Sequence, residues 1–119
     1  MFHSTHVFTG ETICRRPAQS YTEFTDELNR LQTLQQTFAQ SSIIERTALL
    51  QQFADSLTQN QERLAEMVCE EVGRCLHECR AEISKSIELI RYYVRLAPEL
   101  LAHKTIATQA SLSQVRFEP

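Results

Sequence analysis

The chain has 119 residues, which leaves room for one domain at most. Its hydrophobic content of 42% and net charge of −3 are ordinary for a globular protein and too apolar for a disordered one. Lys and Arg are not clustered, and no apolar run approaches the roughly 18–20 residues of a membrane-spanning helix, so we expect neither nucleic acid nor membrane as a partner. The first residues lack the basic and apolar regions of a secretory signal, and four cysteines without one favour a reduced, cytoplasmic protein.

Glycine is scarce, since Gly10 and Gly73 are the only two in the sequence. A phosphate-binding loop, whether a dinucleotide fingerprint or a P-loop, needs two or three glycines close together so that the backbone can approach the phosphates. Neither loop can therefore be built from this chain, and we expect it to bind no such cofactor alone.

Two serine–glutamate pairs predict where the first helices begin. Residues 1–19 are expected to be irregular or briefly extended, with a turn at Thr9-Gly10-Glu11. Ser20 then precedes Glu23 by three residues, and Ser42 precedes Glu45 in the same way, which is the capping-box spacing. They predict helices of about 22–40 and 43–58. Apolar residues recur along both at helical spacing: Phe24, Leu28, Leu31, Leu34 and Phe38, then Leu49, Leu50, Phe53, Ala54 and Leu57.

Two further helices are predicted at about 60–72 and 75–97. Asn60 is placed to cap the first of them, and Gly73 is placed for a left-handed C-terminal cap. Pro98 should end or kink the second, because proline lacks the amide that a helix interior needs. The second half of this long helix is apolar around much of its circumference, which is typical of a helix inside a larger assembly.

The pattern changes after Lys104. Polar and apolar residues alternate over 105–108 and 113–118, which predicts two short strands around a serine-rich turn. The last residues, up to Pro119, would then be strand whose backbone groups need a partner. Such a segment can close as a local hairpin or pair with a strand of another chain, and both remain open at this point.

Three stretches over residues 38–119 resemble the N-terminal region of the aldehyde dehydrogenase superfamily, in particular its succinate-semialdehyde-dehydrogenase-like branch. Residues 45–55 (ERTALLQQFAD) are similar to the family's E-R-x-x-L-L-x-x-x-A-D helix. Residues 71–74 (EVGR) with 81–83 (AEI) are similar to E-x-G-K and A-E-V. Residues 91–98 and 115–119 (VRFEP) complete the likeness, and 9–11 (TGE) matches an opening turn. Ser41 stands where the family has tryptophan, which removes a large packing group.

The resemblance implies a mainly helical chain that forms a partial, N-terminal portion of an α/β fold. Residues 1–103 would be the helical part of a cofactor-binding domain, and 104–119 the start of the strands of an oligomerisation arm. In this family an aldehyde, here a semialdehyde, is oxidised to a carboxylate with NAD(P). The nucleophile, the water-activating glutamate, the oxyanion asparagine and the cofactor-binding strands all follow Pro119 in the family's order. No catalytic, cofactor-binding or metal-binding residue is assigned here, and the chain alone is expected to be inactive.

Other chemistry suggested by local residues is weak. Cys75 and Cys79 share a helix face, but His77 points roughly opposite, so the three cannot converge on one metal ion. Cys69 beside two glutamates is disfavoured as a thiolate. The alternative to an enzyme fragment is a self-standing helical interaction module. Its partner contacts, or self-association, would use residues 105–118 and the apolar face of 83–97.

Overall fold

The computed structural model describes residues 1–118. Four helices confirm the predicted fold class: α1 (Tyr21–Phe38), α2 (Ile43–Gln59), α3 (Gln61–Val72) and α4 (Leu76–Leu100). Four short strands accompany them: β1 (Phe2–Thr5), β2 (Thr12–Arg16), β3 (Lys104–Thr105) and β4 (Gln114–Val115). Pro119, the last residue of the predicted arm segment 104–119, lies outside the described residues.

The N-terminal residues form an antiparallel hairpin of β1 and β2. Gly10 lies in the connecting turn with φ of 74°, a left-handed conformation that glycine adopts without steric cost. The amide of Gly10 donates to the carbonyl of His6 over 2.8 Å and closes the turn. The turn predicted at residues 9–11 is therefore confirmed, and the short extended structure around it is a paired hairpin.

Both predicted capping boxes are present. The hydroxyl of Ser20 accepts from the amide of Glu23, and the Glu23 carboxylate accepts from the amide of Ser20 over 2.7 Å. Ser42 and Glu45 repeat this arrangement at the start of α2. These bonds satisfy amides that would have no partner within the helix.

Asn60 does not cap α3 in the predicted way. It occupies the N-cap position, but its side chain makes no capping bond and instead donates to the carbonyl of Ser56 over 2.8 Å. The single residue between α2 and α3 has to end one helix and begin the next, and its side chain serves the end of α2. Gly73 does end α3 in the left-handed conformation, with φ of 76°, as predicted.

Pro98 neither ends α4 at residue 97 nor marks its boundary, since the helix continues to Leu100 with Pro98 inside it. Proline loses the amide bond to the preceding turn and its ring crowds the carbonyl four residues earlier, but its fixed φ is compatible with a helix. The helical bonding pattern continues beyond Pro98, because the amide of Leu101 donates to the carbonyl of Ala97 over 2.9 Å. The predicted end was therefore wrong by three residues.

The packed part of the chain consists of α2, α3 and α4, with α4 lying against both of the others. Within residues 1–118 the buried apolar side chains are Ala54, Ala65, Cys79 and Ile87, all from these three helices. Polar contacts join the same helices: Arg91 donates to Asp55 of α2 over 2.9 Å, and Gln61 of α3 donates to Ser84 over 2.8 Å. The core is small, so most of the apolar residues lie outside it.

The chain as a whole is extended, with dimensions of 69 × 40 × 21 Å and a radius of gyration of 20.6 Å. A compact domain of this length would have a radius of gyration of about 13 Å. Its exposed area is 9591 Å², whereas a compact monomer of this size exposes about 6,600 Å². Roughly 3,000 Å² of surface that a compact protein would bury is therefore exposed to solvent.

The C-terminal strands are shorter than predicted, two residues each, and they pair with one another. Thr105 lies opposite Gln114, and the amide of Ile106 donates to the carbonyl of Ser113 over 2.8 Å. The local hairpin is thus present, and pairing with another chain stays a prediction. Across residues 1–118, no helix is both long and apolar enough to cross a membrane.

Candidate functional site

Cys79 lies in an environment that does not favour a nucleophile. Cys79 is fully buried, its thiol lies 3.9 Å from the carbonyl of Arg74, and burial raises its pKa, which disfavours the thiolate. Cys75 is exposed at the start of α4. His77 is also exposed, whereas Cys79 is buried, so the three side chains do not share one environment. Within residues 1–118, no three His, Cys, Asp or Glu side chains are grouped so that they could hold a metal ion.

Glu70 and Glu71, adjacent at the end of α3, hold the N-terminal hairpin in place. The carbonyl of Glu70 accepts from the amide of Val7 over 2.9 Å, and the Glu71 carboxylate accepts from the Ser4 hydroxyl over 2.7 Å. Gly73 lies directly beneath, where an added Cβ would be 3.0 Å from Val7. The pair therefore has a structural role, which the sequence did not predict because nothing local links residue 7 to residue 70.

The residues present do not fit a nicotinamide dinucleotide. Gly10 lies in a hairpin turn, and Gly73 ends a helix against Val7, so neither lets a backbone approach a pyrophosphate. The strands of residues 1–118 form two separate two-stranded antiparallel sheets, whereas a dinucleotide fold uses a parallel sheet. No catalytic step can be derived through this cofactor from the residues of this chain.

The apolar stripe of α1 is uncovered, and in this helix no residue is buried. The stripe consists of the five apolar residues predicted from helical spacing, and each is between 47% and 50% exposed: Phe24, Leu28, Leu31, Leu34 and Phe38. No described element packs extensively against α1. An apolar stripe of this length is normally covered by packing, and within residues 1–118 it is left half exposed.

A cleft of about 940 Å³ opens where α1 ends. It lies between the start of α2, the end of α4 and residues 116–118, with Phe117 and Pro98 in its walls. Arg46 also lines it, and its Nε atom is buried without a hydrogen-bond partner among residues 1–118. A buried guanidinium nitrogen left unpaired costs free energy, so this atom is suited to an acceptor from another chain segment.

A third surface lies on α4, within the segment 83–97 that the sequence marked as apolar on most sides. Leu89, Tyr92 and Tyr93 are each about half exposed, and the two tyrosine rings pack edge to face at 5.3 Å. A shallow depression of about 480 Å³ follows this face, with Leu89 and Tyr92 between charged side chains. The helix pattern predicted these residues, whereas the buried nitrogen of Arg46 has no signal in the sequence.

The sequence matches the model of the aldehyde dehydrogenase family over residues 1–119. Among curated proteins it is 30% identical over 111 residues to "Probable succinate-semialdehyde dehydrogenase" of Synechocystis sp., covering 93% of this chain and 24% of that protein. It is 25% identical over 118 residues to succinate-semialdehyde dehydrogenase of Deinococcus radiodurans, covering 99% and 25%. Both names give NADP(+) as the cofactor. The chain thus spans about a quarter of the length of these relatives.

Solved structures show the same fold. The succinic semialdehyde dehydrogenase of Streptococcus pyogenes, in complex with NADP+, superposes with a TM-score of 0.84 and 21% identity, over 96% of this chain and 25% of that one. The glyceraldehyde-3-phosphate dehydrogenase GapN of Methanocaldococcus jannaschii, complexed with NADP, gives a TM-score of 0.85 and 19% identity, over 94% and 24%. The extended arrangement of the four helices is therefore the fold of about one quarter of each of these longer chains.

Proposed function

This chain belongs to the aldehyde dehydrogenase family, and from that we propose that it is the N-terminal helical portion of an NADP-dependent semialdehyde dehydrogenase. Its role in such an enzyme is to support the fold, because the glycines and strands of residues 1–118 do not fit the cofactor and burial disfavours the thiolate of Cys79. The remaining three quarters of the enzyme supply the chemistry. Relatives named as NADP(+)-dependent succinate-semialdehyde dehydrogenases support this choice of substrate and cofactor.

The observation that carries the proposal is the roughly 3,000 Å² of surface beyond that of a compact monomer. A standard protein–protein interface covers about 800 Å² on each partner. The excess is several times larger, which favours a partner that wraps the chain over a partner that touches one patch. The self-standing interaction module is disfavoured for the same reason.

The surfaces assigned to that larger partner are the α1 stripe and the neighbouring cleft. Covering the five half-exposed apolar side chains of α1 removes them from water, and an acceptor at Arg46 satisfies its buried Nε. The strands β3 and β4 are proposed to extend into an arm that pairs with a neighbouring subunit. The exposed side chains of Ile106, which follows β3, and Val115 of β4 are consistent with such pairing.

The test is a chimeric enzyme in which this chain replaces the matching N-terminal segment of the Deinococcus radiodurans relative. We expect the chimera to form NADPH when succinate semialdehyde and NADP+ are added. We expect the isolated chain to form no NADPH and to bind no NADP+. Leu31→Lys should lower the activity and folded yield of the chimera, because it places a charge in the stripe to be covered. Gln36→Lys adds the same charge on the opposite side of α1 and should leave both unchanged.

Turnover by the isolated chain would contradict the proposal directly. So would a soluble, folded chimera that is inactive and in which Leu31→Lys and Gln36→Lys behave alike. The first result would require catalytic groups within residues 1–119, and the second would mean that the α1 stripe is not covered by the rest of the enzyme.

A further inference from the structure

The exposed face of α4 carries charges whose signs are opposite at matching or nearly matching distances on either side of its centre, so the face is complementary to an antiparallel copy of itself. Its residues recur at steps of three and four, which places them on one side of the helix: Lys85, Glu88, Leu89, Tyr92, Arg95, Leu96 and Glu99. Tyr92 lies at the centre. Lys85 stands seven positions before Tyr92, and Glu99 stands seven positions after it. Closer to Tyr92, Glu88 lies four positions before it and Arg95 lies three positions after it.

None of these four charged side chains, Lys85, Glu88, Arg95 and Glu99, forms an ion pair or a side-chain hydrogen bond with any other part of residues 1–118. The neighbouring Arg91 differs, because it turns away to Asp55 of α2 at 2.9 Å. The face therefore presents two unpaired positive and two unpaired negative charges around the half-exposed Leu89 and Tyr92.

We propose that this face of α4 pairs with the same face of a second copy of the chain, antiparallel, about a two-fold axis at Tyr92. Reversing one helix about that residue brings Lys85 opposite Glu99 of the copy. Glu88 comes within one residue, about 1.5 Å along the axis, of Arg95 of the copy. A two-fold axis makes each contact twice, so four ion pairs flank a centre of Tyr92 and Leu89.

The opposite orientation is excluded by the same charges. In a parallel pair each residue lies beside its own copy, which places Lys85, Glu88 and Arg95 each against a like charge. The α1 stripe offers no such self-complementarity, since its acidic residues Glu23, Asp26 and Glu27 lie toward one end. Charge pattern thus assigns the copy to α4, and leaves α1 and the cleft to the larger partner proposed above.

Charge reversal tests this pairing on the isolated full chain by sedimentation equilibrium between about 10 µM and about 1 mM, a range suited to a small interface. We expect a monomer–dimer equilibrium. Glu88→Arg and Arg95→Glu should each weaken dimerisation by about tenfold or more, since each brings like charges together twice. The double variant E88R/R95E restores opposite charges and should return to within about threefold of the original affinity.

Far-UV circular dichroism checks that every variant keeps its helices, and Leu28→Lys in α1 is the matched control, expected to leave dimerisation unchanged. The inference is overturned if the chain stays monomeric throughout, or if the single variants have no effect. It is also overturned if the double variant fails to restore the dimer, or if association depends on Leu28 instead. These outcomes concern the isolated chain, so they are independent of whether the chimeric enzyme is active.

Discussion

Helices α1 and α2 begin with the same capping box and carry similar apolar stripes, yet only α2 is part of a core. Within the described residues, Thr47 and Ala54 of α2 are buried, whereas in α1 none is. The difference lies in the neighbours: α4 and α3 pack with α2, and no described element packs extensively with α1. Local sequence signals thus determine that a helix forms and which face is apolar, and a distant segment determines whether that face is covered.

The largest difference in stability between α1 and the packed helices is expected when one apolar side chain is truncated in each of them. Ile87, which is 4% exposed, lies in the core, and Leu31 of α1 is 48% exposed. We expect Ile87→Ala to lower the free energy of unfolding by about 2–5 kcal/mol, because it leaves a cavity, and Leu31→Ala to change it by less than about 0.5 kcal/mol. Urea unfolding followed by circular dichroism measures both.

If the two substitutions cost the same, α1 and the packed helices would belong to one cooperative unit and the comparison would fail. A complete loss of the cooperative transition in Ile87→Ala alone would support it, since a core this small has little stability in reserve.

A smaller effect is expected at the junction between α3 and the N-terminal hairpin. Gly73→Ala should cost about 1–2 kcal/mol for the left-handed backbone and more for the contact with Val7, which an added Cβ would approach at 3.0 Å. Gly10→Ala is the matched control, because its φ is also positive but no atom lies within 4 Å of an added Cβ.

Hydrogen exchange of the β1 and β2 amides, compared with those of α3, measures the outcome. We expect Gly73→Ala to speed exchange in the hairpin and at the end of α3 together, and Gly10→Ala to affect the hairpin alone. Equal effects of the two substitutions would show that Val7 does not pack on Gly73.

The sequence was sufficient for features that depend on a few adjacent residues. Ser20 with Glu23, Ser42 with Glu45, the left-handed Gly73 and the apolar stripes were all predicted, because each follows from local hydrogen bonding or helical spacing. Asn60 was assigned the wrong bond, since two helices compete for its side chain. Pro98 was given the wrong boundary, because a helix tolerates the loss of one amide bond when the following amides still find acceptors.

Features that join distant residues could not be predicted. The docking of Val7 on Glu70 and the unpaired nitrogen of Arg46 depend on how elements far apart in sequence are arranged. The surfaces proposed for partners were predicted in part, because helical periodicity indicated the apolar residues of 83–97. The charges around Tyr92 indicate a pairing surface only because they lack partners within residues 1–118, and the sequence does not show this.

The smallest expected effect is the pH dependence of the two capping boxes. Hydrogen bonds from the amide and then the hydroxyl of the cap serine lower the pKa of Glu23 and of Glu45 below the ordinary 4.5. A carboxyl group whose folded pKa is lowered stabilises the fold above its unfolded pKa, and this contribution is lost as the pH falls through the folded value. Both boxes should therefore weaken below about pH 4.5.

Only the box of α2 should affect cooperative unfolding, because α1 is not packed against the core. Glutamine can replace glutamate in a capping box without titrating, so Glu45→Gln should flatten the fall of the urea midpoint from about pH 7 to about pH 3, and Glu23→Gln should not. If both substitutions flattened it equally, α1 would be energetically coupled to the α2–α4 core despite its exposed stripe. Its apolar face would then contribute to folding before any partner covers it.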